Sequence, residues 1–547
     1  MDKREYLKKY FPKVDEFRGV QEPAIDALID GKKVLCLMPT GGGKSLIYQI
    51  AGLCIEKATV VISPLVALMD QQCQQLALQG LSSVSFTGMD YKKQVTTIAD
   101  MANGNLPKFI FTSPERISND GYLEYVLNMR SEDIGLVVID EVHCVSQWGE
   151  GFRPAYRNIP LFLNRIFGNN SWPRVLCLTA TLNDSQQEEI KNKFRITNVI
   201  KGDNLWRENL NLEIINLKDG KEDTKDEELE KIIEMHPGEK ILVFAHRKYG
   251  KKGTTRTLYE KYKDVYHGVK YFDSDMGDGD KTAVMKGFID GSIKILFATS
   301  AFGMGVDIED IRVVVNYLIS ETIEQYYQEV GRGGRDGKPA HGYLLYTNQS
   351  KRGRRMLLNN TLCNETSLKN EWEDRKLKDG QSFKHVSYES MTEEQRTAFA
   401  LLMDYNVISV VAKGVQSIRC FEGVTPSGQV FLDELSNYSK TGLMSIIVKK
   451  SQKNINTLTL EIWDRCVKGN IRMKLAPNKA VFYTIKNEVT DELIQKILDD
   501  QAAKKYARVR AFEQFVNGIE EGKTAEQLVK EALDLEGTEK APKISMI

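Results

Sequence analysis

Residues 34–45 read Val34-Leu-Cys-Leu-Met38-Pro-Thr40-Gly41-Gly42-Gly43-Lys44-Ser45. An apolar run is followed at once by three glycines, a lysine and a hydroxyl, and then by the helical segment LIYQIAGL. Strand, loop, helix is the context that a phosphate-binding loop requires. Successive glycines let backbone N–H groups turn inward around a phosphate, and the helix N-terminus adds its positive end. Lys44 can then reach terminal phosphates and Ser45 can ligate magnesium. The general pattern asks for glycine where Met38 stands, so for this segment alone a Gly-rich turn is the plain alternative.

Working outward, short apolar runs (VLCLM, TVVIS, FIFTS, GLVVID) alternate with longer polar segments of helical periodicity between Lys33 and Val145, and RVLCLTAT adds another run at 174–181. Consecutive apolar residues fit strands buried on both faces, hence a parallel α/β sheet. Asp140 and Glu141 end the run GLVVID. At a strand's carboxyl end, where such sheets bind ligands, the first can hold magnesium and the second can orient and deprotonate a water.

The charged stretch at 217–231 reads as a linker, or else as a solvated helix, before the pattern resumes with KILVFAHR, IKILFATS, RVVVNYL and GYLLYT. Here Gly331-Arg332-Gly-Gly-Arg335 places two arginines on what reads as one face of a helix start, suited to developing phosphoryl charge. A basic turn or RNA-contacting patch is the other reading. After KRGRR at 351–355 the alternation stops: TEEQRTAFALLMDY reads as helix, INTLTLEIW and KAVFYTIK as strands, and the segment from Asp491 onward as helix.

A chain of 547 residues exceeds what one core supports, so two or three domains are expected. Lys plus Arg equals Asp plus Glu at 75 each, so any nucleic-acid site must be a local groove. The eight cysteines are scattered without a CxxC pair and read as reduced thiols. No run approaches the roughly 20 apolar residues that span a bilayer, and the charged opening MDKREYLKKYF gives no export signal, so a cytoplasmic protein is expected.

In order, FRGVQ, MPTGGGKS, SPLVALMDQQ, TSPERI, DEVH, LTAT, ILVFAHR, ATSAFGMGVD and QEVGRGGRDG resemble the motif series of superfamily 2 helicases. His143-Cys-Val-Ser-Gln147-Trp148-Gly-Glu-Gly-Phe152-Arg153-Pro154-Ala-Tyr156 resembles the aromatic-rich loop of the RecQ family. The resemblance covers roughly residues 10–350 and implies an α/β fold of two tandem RecA-like parallel-sheet lobes, 1–212 and 213–350, with a mixed α+β region at 351–547.

The resemblance also implies roles for single residues. Arg18, Gln21, Thr40, Gly41, Gly42, Gly43, Lys44, Ser45 and Asp307 would bind ATP, with Gln21 on the adenine, and Ser45 and Asp140 would hold Mg2+. Glu141, Gln328, Arg332 and Arg335 would serve hydrolysis. Trp148, Phe152 and Arg153 would sense single-stranded DNA and relay it to His143 and Gln147, with Thr179 and Thr181 joining the coupling; a buried Trp–Phe cluster is the alternative.

The implied activity is 3′-to-5′ travel on single-stranded and forked DNA. Two others remain: an RNA helicase, or a nucleic-acid-stimulated ATPase that recruits protein partners through 351–547. RecQ proteins usually carry a four-cysteine zinc module after the second lobe, but Cys363, Cys420 and Cys466 stand too far apart for paired knuckles, so no zinc is expected. The run YFDSDMGDGD departs from the family loop and lacks the glutamate that a calcium loop needs.

Overall fold

The computed structural model describes residues 2–533 except 40, 65, 146–153, 181, 183, 203–205, 218–221, 304–307, 361–362, 439–454, 475–478 and 520. Its first lobe is built on β1 (Val34–Leu37), β2 (Ala58–Ile62), β3 (Ser83–Ser85), β4 (Phe109–Thr112), β5 (Ile134–Ile139), β6 (Arg174–Thr179) and β7 (Asn198–Lys201). They lie in the order β3-β4-β2-β5-β6-β1-β7, every pair parallel. All residues of β1, β2, β4 and β5 are buried, as the unbroken apolar runs require of strands covered on both faces. Parallel pairing sends every strand's carboxyl end to one edge of the sheet. The segments after β1, β2, β5 and β6 therefore meet there.

The second lobe repeats this plan with β8 (Leu210–Asn216), β9 (Ile241–Phe244), β10 (Val269–Phe272), β11 (Ile295–Ala298), β12 (Val313–Asn316) and β13 (Ala340–Tyr346), in the order β10-β11-β9-β12-β13-β8. Its pairs are also all parallel. Because β8 starts at Leu210, the passage between sheets falls before residue 213. The charged stretch read as a linker proves to be mostly helix, Glu222–Met235, with Leu229, Ile232 and Ile233 buried against this sheet. Apolar residues at that spacing put one stripe on the core while most of the charges stay outside, Lys225 being the buried exception with its ammonium over the Tyr317 ring.

The C-terminal region holds β14 (Lys384–Val386), β15 (Ile408–Val415), β16 (Phe421–Gly423), β17 (Ile471–Met473) and β18 (Lys479–Ile485). Strands β14-β18-β15 form an antiparallel sheet and β16-β17 a short ribbon. INTLTLEIW is not a strand but lies in the helix Ile455–Val467, because Ile455, Leu458, Thr459, Ile462 and Trp463 recur at helical spacing and are its buried residues.

This region touches both lobes. On the first, Trp463 stacks on Tyr122 at 5.3 Å, Tyr125 Oη donates to Asp464 at 3.2 Å, and the Lys413 ammonium is buried against Glu124 and the Ile117 carbonyl. On the second, Phe512 and Phe515 pack on Tyr326, and Glu513 accepts from Lys351 and Arg355 at 3.1 and 3.0 Å. No helix among the described residues is long and apolar enough to cross a membrane.

Candidate nucleotide and nucleic-acid site

The loop between β1 and the helix Lys44–Ile55 lies at the carboxyl edge of the first sheet, and its shape depends on glycine. Gly41 and Gly43 have φ of +78° and +76°, and a Cβ on Gly43 would stand 2.6 Å from Gln21 Nε2. Gln21 is buried beneath the loop: its Oε1 accepts from the Arg18 N–H at 2.9 Å, and its Nε2 donates to the Gly42 and Gly43 carbonyls at 3.0 and 3.2 Å. The nitrogen of an amide expected at adenine thus braces the loop and its oxygen holds the Arg18 backbone, while the Arg18 side chain is exposed. Ser45 follows Lys44 in the first turn of the helix.

Lys44 Nζ lies 3.1 Å from Glu141 Oε1. Asp140 accepts from Ser63 Oγ, after β2, at 3.1 Å and from the Glu141 N–H at 3.0 Å. His143 Nδ1 stands 3.2 Å from Glu141 Oε2 and 3.0 Å from Thr179 Oγ1 at the end of β6. Glu141 has φ +49°, a conformation that few non-glycine residues adopt.

The charges respond to this crowding. Burial and the neighbouring Glu141 push Asp140 up to about 6. Burial would raise Glu141 as well, but Lys44 and His143 hold it well below the usual carboxylate range. Burial lowers His143, yet Cys144 and Glu141 outweigh it and hold it at about 10.

From the second lobe, the helix Ile323–Val330 carries Gln328 and ends just before Arg332 and Arg335. The two arginines do not open a helix, as their spacing suggested. They lie in turns, because Gly331, Gly333 and Gly334 (φ +57°) break it there, and the Gly334 N–H bonds Ile311 O at 2.8 Å instead.

Arg207 Nη1 and Asn209 Nδ2 pin that turn, donating at 2.7 Å to the Gly331 and Gly334 carbonyls. The helix itself is anchored by Glu329, whose buried carboxylate accepts from Ser320 Oγ at 2.7 Å and Gln325 Nε2 at 2.8 Å, with His246 Nε2 at 3.3 Å.

Arg335 reaches across to the phosphate loop, its Cγ 4.0 Å from where a Gly41 Cβ would stand. Arg332 faces the same space: burial and Arg335 lower it to about 9, against the pull of Glu329 and Glu141. Its Nε is shut off from solvent and has no hydrogen-bond partner among the described residues. A buried guanidinium donor left in that state fits an anion between the lobes.

Hydroxyl and carboxylate oxygens from Ser45 and Asp140 are the hard donors that Mg2+ takes, and Asp140 is raised by a neighbour's negative charge that a cation offsets. Thr40, Gln147, Trp148, Phe152, Arg153, Thr181 and Asp307 lie outside the described residues.

Sequence reading missed Ser63, Arg207, Asn209 and Glu329. Ser63 and Glu329 stand inside the motifs SPLVALMDQQ and QEVGRGGRDG without having been singled out, Arg207 and Asn209 stand outside any motif, and each acts by holding a site group in place. The acidic run after β10 is satisfied by the chain itself, Asp273 accepting from Arg256 Nε at 2.9 Å and Asp275 from Lys248 Nζ at 2.8 Å.

Two family models match this architecture: a DEAD/DEAH box helicase domain over residues 18–190 and a helicase conserved C-terminal domain over 224–337. The two lobes are the halves of a superfamily 2 helicase core, and that core is RecQ-like. The chain is 32% identical over 332 residues to the Probable ATP-dependent DNA helicase RecS and 31% identical over 349 residues to the ATP-dependent DNA helicase RecQ, both of Bacillus subtilis (strain 168). The matches cover 60% and 63% of this chain and 64% and 56% of those relatives, so the chain spans less than two thirds of either. Among solved structures, the DUF1998 helicase MrfA bound to DNA shares the fold, with a TM-score of 0.52, 15% identity, and coverage of 75% of this chain and 58% of that one.

Proposed function

We propose that the chain is a RecQ-type ATP-dependent DNA helicase that moves 3′ to 5′ on single-stranded DNA and opens forked duplexes. The observation that carries this reading is the meeting of Lys44, Asp140 and Glu141 on one lobe with Arg332 and Arg335 from the other. Hydrolysis at such a site depends on lobe closure, and lobe closure moves a strand gripped by its phosphates.

The ion pair between Lys44 and Glu141 sets the order of events. A terminal phosphate competes for the Lys44 ammonium, and the freed Glu141 carboxylate becomes basic enough to orient the attacking water and take its proton. Arg332 and Arg335 offset charge on the transferred phosphoryl group. Ser45 and Asp140 would hold magnesium, which would supply positive charge to offset that of the phosphates. His143 bridges Glu141 and Thr179, so a strand-induced shift in the adjoining loop reaches the catalytic carboxylate.

Trp148, Phe152 and Arg153 in that loop are the proposed DNA sensors, the aromatic rings stacking on bases without reading sequence, and Gln147 with His143 is the proposed relay. Residues 351–547 are the proposed place for protein partners. Unwinding of a duplex bearing a single 3′ tail, and not of one bearing a 5′ tail, is the expected result; the reverse preference would refute the assigned direction. Trp148→Ala is expected to lower the ratio of DNA-stimulated to DNA-free hydrolysis, and an unchanged ratio would remove Trp148 from the sensor.

A further inference from the structure

We propose that Tyr156 is a positioning residue for the Asp140–Glu141 pair, and that through its neighbour Arg157 it ties the pair's geometry to the C-terminal region. The inference rests on the reading of this pair as the hydrolytic site. Tyr156 is fully buried, and its hydroxyl donates to the Asp140 backbone carbonyl at 2.7 Å.

That carbonyl belongs to the peptide plane joining Asp140 to Glu141. The Asp140 N–H is already bound in the sheet, donating to Ile62 O at 2.9 Å. The plane beyond it has left the strand and needs another anchor. Its orientation sets the +49° φ of Glu141 and aims the Glu141 N–H at Asp140 Oδ1. The phenolic hydrogen bond thus holds the backbone from which both carboxylates project, beside the side-chain partners Ser63, Lys44 and His143.

Tyr156 stands three residues beyond the segment 146–153 that carries the proposed DNA sensors. The next residue, Arg157, forms an ion pair with Asp404, the last residue of the helix Glu393–Asp404 in the C-terminal region. The side chains of Arg157 and Asp404 are 8% and 22% exposed, so solvent screens the pair less than it would a surface bridge. Residues 154–157 therefore link three things: the sensing loop by sequence, the C-terminal region by an ion pair, and the catalytic peptide plane by a hydrogen bond.

The test compares steady-state ATP hydrolysis of the full chain and its variants with saturating single-stranded DNA, across a magnesium titration. Tyr156→Phe keeps the ring and removes only the donor. Its kcat is expected to fall about 2- to 10-fold, the worth of one hydrogen bond. KM for ATP should stay near wild type, while the magnesium needed for half-maximal rate rises.

A tyrosine that merely packs would lower the melting temperature and leave kcat and the magnesium requirement alone, which would overturn the proposal. Asp404→Asn keeps the tie testable if Tyr156→Phe folds poorly: it should lower kcat in the same direction, and in the Tyr156→Phe background it should add little. Fully additive losses, or a wild-type rate for Asp404→Asn, would overturn the link to the C-terminal region. Lys44→Ala separates the two levels: turnover by that variant would sink the hydrolytic assignment itself, whereas an inactive Lys44→Ala beside a wild-type Tyr156→Phe would sink this inference alone.

Discussion

Replacing Gly121 by alanine drives a wedge between the first lobe and the C-terminal region. Gly121 opens the helix Gly121–Met129, and a Cβ there would sit 2.6 Å from the Lys413 carbonyl carbon, with the carbonyl oxygen closer still. Real contacts of that kind begin above 3 Å, so one backbone must withdraw by about 1 Å. Lys413 is poorly placed to yield. Its carbonyl accepts from Trp463 Nε1 at 3.2 Å, and its ammonium is buried against the Ile117 carbonyl at 2.8 Å and Glu124.

Overpacking of this type costs about 1–3 kcal/mol, and stranding the buried Trp463 donor adds about 1–3 kcal/mol, so the docked interface loses about 2–6 kcal/mol. At about 2–4 °C per kcal/mol, the transition that includes the C-terminal region should drop by roughly 4–24 °C in calorimetry. Gly279→Ala, whose Cβ meets nothing within 4 Å, serves as the control and should melt like wild type. A Gly121→Ala protein that melts within about 2 °C of wild type would refute the docking geometry.

Three further outcomes are expected. Arg332→Ala and Arg335→Ala should each lower kcat by about 10³-fold or more with ATP affinity changed far less, because the guanidinium groups act on charge that develops only in the transition state; parallel losses in binding and turnover would contradict that role. Gln21→Ala frees the Gly42 and Gly43 carbonyls from their brace and should raise KM for ATP more than it lowers kcat, whereas an unchanged KM would leave the loop's shape to its glycines alone.

The third concerns pH. Burial lowers Lys505 to about 8, so between that pH and its ordinary 10.5 the unfolded chain binds more protons than the folded one and stability rises with pH. Melting temperature in wild type minus that in Lys505→Gln should therefore climb from pH 8 to pH 10; a flat difference would show the amine to be solvated.

One division separates the features legible in the sequence from those hidden in it. Unbroken apolar strands and the groups at their ends, Lys44, Asp140 and Thr179, announce themselves because burial on both faces dictates a strand's composition and phosphate chemistry dictates the residues beyond its carboxyl end. The braces do not. Ser63, Tyr156 and Glu329 stand within motifs and Arg207 outside them, but in each case the bracing role lies in a partner distant in sequence, which no local pattern reveals.

The arginine turn was misread as a helix start because spacing alone cannot register the glycines' preference for turns. INTLTLEIW was misread as a strand because its β-branched content outweighed a helical period that only packing reveals. Gln21 shows the subtler case: the motif placed it at the nucleotide loop, and the fold engages its amide with the loop's own carbonyls.

Hydrolysis of ATP by the full chain, measured without nucleic acid, with single-stranded DNA and with matched single-stranded RNA at one fixed moderate salt, tests the central claim most directly. Strong stimulation by DNA and little by RNA is the predicted result. Equal or greater stimulation by RNA, or none by either, would contradict a DNA-driven motor built on Lys44, Glu141, Arg332 and Arg335.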